Sequence, residues 1–170
     1  MRRARHDPLR NPEPLIRDVY AYVSYRLPNG SDAEEITSRV FERAVRYRNS
    51  YDSRKGTPIT WLIGIARTQI AELHAHRSAH VELDAAELAD DSDLETASLD
   101  RLTIRAAVRS LDDRSRELIA LRYGLGLSSD DIAAELDMTA NAVDVALHRA
   151  RERLREILSG QDLGPARVQP

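Results

Sequence analysis

Four arginines at alternate positions, Arg149, Arg151, Arg153 and Arg155, follow His148 late in the chain. Guanidinium groups on a helix can reach phosphates, and each phosphate neutralised releases counterions. A second group with chemical potential centres on Trp61, the only tryptophan of the sequence. Arg54, Lys55, Arg67, His74 and Arg77 flank it. An aromatic ring among cations is a platform on which an unstacked base can settle. The plainer alternative is a tryptophan that covers a neighbouring loop or helix. His74, His76 and His80 could suggest a metal, but there is no cysteine and no HExxH-type spacing to support one. No Ser/His/Asp set or phosphate loop is present either, so neither an enzyme nor a cofactor is expected.

The elements that must position the arginines lie in Ser128–Arg153, SSDDIAAELDMTANAVDVALHRARER. Ser128 with Asp131 three residues on is a capping-box variant, with Asp in place of Glu or Gln. Ile132, Ala133 and Leu136 then recur at helical spacing. Asp137-Met138-Thr139 breaks the pattern, and Thr139 can cap a second helix. Val143, Leu147, Ala150, Leu154 and Ile157 or Leu158 share one face of that helix. A short helix, a tight turn and a longer helix with small residues at the crossing predict a helix-turn-helix. A simple amphipathic hairpin competes with this reading, since Glu152 and Glu156 alternate with the arginines.

The remaining chain reads as helices too. Residues 1–13 form a polar, proline-containing flexible arm with no apolar segment of a secretory signal. A first helix is expected at Pro14–Leu27, with Leu15, Val19, Val23 and Leu27 on a stripe widened by Tyr20 and Ile16. Pro28-Asn29-Gly30 ends it. Ser31 with Glu34 reads as a capping box for a second helix, about Asp32–Arg48. Its inward residues are Ile36, Val40, Ala44 and Tyr47, and Glu35, Arg39, Glu42, Arg43 and Arg46 lie outside. Thr57 caps a third helix with Pro58 at its first position. That helix runs to about Arg77, with Ile59, Leu62, Ile63, Ala66, Ile70 and Leu73 on its apolar face. A further helix, Arg101–Ser110, carries Leu102, Ala106, Ile104 and Val108. An Asp-capped helix, Arg114–Tyr123, carries Leu118, Ile119 and Leu121, and Gly124 stops it.

Sparse glycine and absent strand-like alternation make the class all-α. The 170 residues suit one ordinary domain or two small ones. Absence of cysteine suits the cytoplasm, and no run of about 18 apolar residues offers a membrane span. The net charge of −3 hides a strong asymmetry. From Arg39 to His80 there are eight Arg/Lys and three Asp/Glu; from Val81 to Asp100, eight Asp/Glu and no Arg or Lys. From Arg101 to Ser159 the two signs are ten each. This predicts two small helical domains, 14–80 and 101–159, joined by a flexible acidic linker at 81–100 and followed by a tail at 160–170. Fully extended, a twenty-residue linker spans about 65–70 Å.

Leu111–Ile157 closely resembles the DNA-binding region four of bacterial RNA polymerase sigma factors of the extracytoplasmic-function group. Leu121-Arg122-Tyr123, Gly126-Leu127-Ser128, Asp131-Ile132-Ala133 and Leu147-His148-Arg149-Ala150-Arg151 carry the likeness most specifically. Upstream, Asp32-Ala33-Glu34-Glu35-Ile36, Val40-Phe41, Ala44, Trp61-Leu62 and Ile65-Ala66-Arg67 resemble region two. The resemblance implies a factor that binds RNA polymerase core and directs it to promoters. Glu35, Ser38, Arg39, Phe41 and Glu42 would meet the clamp helices of the largest subunit, and region four would meet the flap of the second-largest. Arg54, Lys55, Trp61, Arg67, Thr68, His74 and Arg77 would read and melt the downstream (minus-ten) element. Thr139, Asn141, Asp144, Val145 and His148 would read the upstream (minus-thirty-five) element, with Arg149 and Arg151 on phosphate. The resemblance also admits an anti-sigma partner. Three departures stand out. Ser38-Arg39 replace the usual Gln-Glu or Gln-Asp. Pro58 and Thr68 stand where an aromatic and Asn are frequent. Asp144-Val145-Ala146 stands where basic residues are common.

A stand-alone helix-turn-helix regulator is the competing function. It would bind duplex DNA without polymerase, usually as a dimer on paired half-sites. The basic, Trp-bearing first half and the acidic linker argue against it.

Overall fold

The computed structural model of the protein describes residues 7–27, 29–81 and 99–161. Among them every regular element is helical: α1 (Pro12–Arg26), α2 (Gly30–Tyr47), α3 (Pro58–Val81), α4 (Leu99–Arg109), α5 (Asp113–Ile119), α6 (Ser129–Leu136) and α7 (Ala140–Gln161). The expected arm, linker and tail lie largely outside the described residues.

Helices α1, α2 and α3 pack together as a first unit. Val19 and Val23 of α1, Ile36, Val40 and Ala44 of α2, and Leu62, Ile63, Ala66 and Ile70 of α3 are buried in it. Three local expectations are corrected here. The cap of α2 is Asn29, whose side chain accepts from the Ser31 N–H at 3.0 Å, so Ser31 makes no capping box. An amide two residues before the N–H reaches it without competition, and the helix starts earlier. Tyr47 points out rather than in and is 51% exposed. Ile16 is 45% exposed, and the buried aromatic of α1 is Tyr22 instead.

Helices α4 to α7 form the second unit. Asp112 caps α5 through the Ser115 N–H at 2.9 Å. Those bonds hold the Asp112 carboxyl below the usual carboxylate range. After Ile119 the helix widens into a π-helical turn, Ala120–Gly124. Ala107, Val108 and Leu111 are the buried residues of the α4 end, whereas Ile104 is 49% exposed. Leu118, Ile119 and Leu121 are buried as expected, together with Ile132, Val143, Leu147 and Ala150.

The two units are not separate beads. α1 is packed on both sides: α2 and α3 cover one flank, and α5 with the π turn covers the other. One apolar cluster runs through both units. Gly124 permits the approach. A methyl group there would lie 3.3 Å from the backbone N and Cα of Tyr22.

Candidate nucleic-acid and protein-contact surfaces

Local chemistry fixes the α6–α7 corner. Ser128 Oγ accepts from the Asp131 N–H at 3.1 Å, and the Asp131 carboxylate accepts from the Ser128 N–H at 3.2 Å. The Ser128 hydroxyl and amide hold the Asp131 carboxyl low. Asp137 ends α6 in the left-handed region at φ 53°. Thr139 then caps α7, accepting from the Ala142 N–H at 3.2 Å.

With Val143, Leu147 and Ala150 buried, α7 turns its opposite side outward. Thr139, Asn141, Asp144, Val145, His148, Arg149 and Arg151 are all exposed. Asn141, Asp144, Val145 and His148 share one stripe at helical spacing, the shape that enters a major groove. The Asp144 carboxylate is not loose. It accepts from Ser129 Oγ, which itself accepts from Arg122 Nη2 at 3.1 Å. Arg122 is anchored by the Leu127 carbonyl at 2.7 Å. One carboxylate oxygen is therefore held by the preceding helix.

On the first unit, Trp61 is half-buried, tilted against Tyr51 with ring centroids 5.5 Å apart. Tyr51 is fixed by its hydroxyl, which donates to the Gly56 carbonyl at 3.0 Å. Beside Trp61 lies a hollow of about 370 Å³, lined by Arg43, Tyr47, Ser50, Gly64, Ile65 and Thr68. A hollow of this size with an aromatic wall, a cation and hydroxyls suits a single planar base. Arg43, Tyr47 and Ser50 were absent from the sequence-based set. Their signal was the i, i+4 pair Arg43/Tyr47 at the end of α2, read there as a salt-bridged face and a core residue.

The seven expected downstream residues do not form one surface. Trp61 and Arg67 stand about 120° apart around α3, on opposite flanks of its buried face. Arg54 is paired with Asp52 at 2.7 Å, which holds the Asp52 carboxyl at about 2. Arg77 Nη2 donates to both carboxylate oxygens of the buried Asp32, at 2.9 and 2.8 Å. Lys55, Thr68 and His74 are exposed.

Arg67 faces the second unit. Its Nε donates to Glu117 at 2.8 Å and its Nη1 to Glu135 at 2.7 Å. Glu117 is 7% exposed. It also accepts from the Tyr22 hydroxyl at 2.7 and 2.9 Å. Arg26 Nε lies 3.0 Å from it but off the line of a hydrogen bond, while Arg26 Nη1 donates to the Asp113 carbonyl at 2.8 Å. Burial, then the Glu117 charge, pushes the Tyr22 phenol well above its ordinary value. Burial opposes the Arg67 charge, but Glu117, Tyr22 and Glu135 outweigh it and keep the guanidinium ionised.

A third surface lies between α1 and α2. Ser38, Phe41 and Glu42 line an open groove of about 1070 Å³ with Ile16, Tyr20 and Val45. Glu35 and Arg39 pair with each other on the neighbouring face at 2.5 Å. Apolar side chains at i, i+3/i+4 spacing on two helices make a seat for a helix of another protein. Among the described residues no group of three or more potential ligands could hold a metal, and no helix is long and apolar enough to cross a membrane.

Comparison with known proteins places both units. Residues 13–80 match the family description Sigma-70 region 2, and residues 101–154 match Sigma-70, region 4. The chain is 28% identical over 147 residues to the ECF RNA polymerase sigma factor BldN of Streptomyces coelicolor, covering 82% of this chain and 56% of that protein. It is 25% identical over 148 residues to SigK of Mycobacterium ulcerans, covering 82% of this chain and 79% of SigK. It is 28% identical over 158 residues to SigD of Mycobacterium tuberculosis, covering 87% of this chain and 74% of SigD. Among solved structures, the fold is similar to the sigma factor RpoE in complex with the anti-sigma factor NepR from Bartonella quintana. That match has a TM-score of 0.73 at 22% identity and covers 86% of this chain and 93% of that one. It is also similar to CnrH in complex with the cytosolic domain of CnrY, with a TM-score of 0.60 at 24% identity, covering 89% of this chain and 84% of that one.

Proposed function

This chain belongs to the extracytoplasmic-function group of RNA polymerase sigma factors, and from that premise we propose how its surfaces divide the work. Sigma factors are initiation factors without catalysis of their own; they bind polymerase core and direct it to promoters. In this chain α1–α3 is region two and α4–α7 is region four. The α1–α2 groove with Phe41, Ser38 and Glu42, together with Glu35 and Arg39 beside it, takes the clamp helices of the largest polymerase subunit. Region four meets the flap of the second-largest.

The hollow beside Trp61 takes a base extruded from the downstream element. Extrusion costs a few kcal/mol, which stacking on an aromatic and nearby cations can offset. Lys55, Arg54 and Thr68 border the strand's path, and His74 and Arg77 lie further along α3. The exposed stripe of α7 reads the upstream element: Asn141, Asp144, Val145 and His148 at base edges, Thr139 at the helix start, Arg149 and Arg151 on phosphate. Asp144 offers an acceptor, which suits a cytosine amino group and repels phosphate. The observation that supports this reading is a base-sized hollow on one unit and an exposed stripe at helical spacing on the other. The protein acts in the cytoplasm and performs no reaction itself. The similarity to factors solved with anti-sigma proteins supports an anti-sigma partner for this one too.

The direct test is transcription in vitro with core polymerase, the protein and fragmented genomic DNA of its host, followed by sequencing of the products. Discrete starts that need the protein are expected, with shared sequences at two positions upstream. A protein that fails to bind core overturns the assignment.

A further inference from the structure

We propose that Ser129 and Arg122 are positioning residues for Asp144, holding its carboxylate so that the upstream-reading stripe of α7 selects a cytosine by its amino group. The inference rests on the sigma-factor assignment and deepens the reading of Asp144: it names what aims the carboxylate and which base that aim selects.

Asp144 is the only acidic member of the stripe that it forms with Asn141, Val145 and His148. Phosphates repel it, so its favourable partners on duplex DNA are donor groups at base edges. In the major groove guanine shows only acceptors, and thymine shows an acceptor and a methyl group. Adenine sets the acceptor N7 beside its amino group, and a carboxylate opposes that neighbour. Cytosine presents an amino donor alone. A carboxylate held at the base edges therefore favours cytosine over the other three.

The holding is built from three side chains. Arg122, in the π turn, donates through Nη1 to the Leu127 carbonyl at 2.7 Å and through Nη2 to Ser129 Oγ at 3.1 Å. A guanidinium can only donate, and a serine hydroxyl has one proton. With Arg122 on its lone pair, Ser129 directs that proton to Asp144, whose carboxylate only accepts. Ser129 is itself fixed, because the Ser128–Asp131 capping box sets the first turn of α6. Arg122 and Ser129 are half-buried and Asp144 is exposed, so the network runs from the interior to the reading face. A single bond to Oδ1 leaves the carboxylate capacity to accept from a base.

Positioning explains the network better than a tie between helices does. Buried Ile132, Ala133, Val143 and Leu147 already secure the crossing of α6 and α7. An exposed aspartate without a tether must surrender rotamer freedom when it meets a base, and that cost comes out of affinity. Ser129 removes the cost before DNA arrives.

The experiment uses the full chain with core polymerase. Transcripts from fragmented host DNA are sequenced for the parent and for Asp144→Asn, Ser129→Ala, Ser129→Thr and Arg122→Met. Upstream elements used by the parent are expected to share one position that is cytosine on one strand. The strongest start is then rebuilt with each of the four base pairs at that position. The parent should initiate from the cytosine template about fivefold to tenfold better than from the others, the lower end of what a base contact supplies. Asp144→Asn should lose this preference and use the other templates as well as the parent or better, since a charge repelled by phosphate is gone. Ser129→Ala and Arg122→Met should cut the preference to about twofold through lost preorganisation. Ser129→Thr keeps the hydroxyl and should restore it. Thermal unfolding confirms that each variant is folded. A parent motif with no position sensitive to Asp144→Asn overturns the proposal. So does a preference that survives Ser129→Ala. Initiation that falls equally on all four templates with Ser129→Ala, alongside lower thermal stability, marks a structural tie and overturns it as well. Factor-dependent starts from the parent keep the sigma assignment standing in each of these cases. Their absence removes that assignment and this proposal with it.

Discussion

Single side chains decide most of what this chain can recognise. Trp61→Ala removes one wall of the base-sized hollow, and single-stranded DNA affinity should fall by about 1–3 kcal/mol in a fluorescence anisotropy titration. A loss confined to folding stability, with affinity unchanged in the folded fraction, would exclude base capture there. Asp144→Lys exchanges a repelled carboxylate for a phosphate contact. It should raise duplex affinity and steepen the dependence of log K on log salt by about one unit. An unchanged slope would show that Asp144 faces no backbone. The placement of these residues was partly legible in the sequence. The spacing Asn141, Asp144, Val145, His148 is local, and α7 turns that stripe outward as expected. The role of Arg67 was not legible. Its partners Glu117 and Glu135 are 50 and 68 residues away, and no periodicity reports a pairing at that distance.

The elements follow from short-range chemistry that sequence reading handles well when one signal dominates. Ser128 and Asp131 satisfy each other's backbone groups, and α6 begins where their spacing predicts. Ser31 and Glu34 carry the same signature, yet Asn29 caps α2, because a nearby amide had already taken the Ser31 N–H. Ile104 was grouped with the core on periodicity but stands exposed, since the end of α4 that packs is Ala107, Val108 and Leu111. Ser128→Ala should cost about 1 kcal/mol of stability in thermal or denaturant unfolding, the usual worth of an N-cap. Asp112 and Asp131 both have depressed carboxyl pKa values, so their caps contribute above the unfolded value near 3.8 and are lost as pH falls below it. Acid unfolding followed by circular dichroism should therefore set in below about pH 4 and shift upward when Asp112 is replaced by Ala.

At the scale of the whole molecule, the sequence suggested two small helical domains joined by an acidic linker, and the structure adds that the two units pack on each other through α1. The charge blocks said nothing of how α1 would pack against helices of both units. Its second buried flank, Tyr22 with Arg26, interrupts the expected stripe with an aromatic and a cation. Tyr22 offers a way to follow the seam. Burial and the Glu117 charge raise its phenol above the ordinary value near 10, so the protonated form belongs to the chain with its two units packed together. That contribution is complete below about pH 10 and is lost as pH rises through the elevated value. The neighbouring charges at the seam are Glu117, Arg26, Arg67 and Glu135. Energy transfer between dyes on Arg17→Cys and Ser159→Cys, one exposed position on each unit of this cysteine-free chain, should fall on alkaline titration, and Tyr22→Phe should weaken that dependence.

The apolar cluster that crosses the seam has a further consequence for the cell's supply of polymerase. A partner that takes only a chain whose two units have separated must first part this shared core, and that work is subtracted from its observed affinity. When two such factors draw on one pool of core enzyme, the one with the weaker seam claims the larger share at equal abundance. Substitutions at Gly124, which belongs to neither proposed DNA-reading surface, would then change how much of the transcription machinery this factor commands.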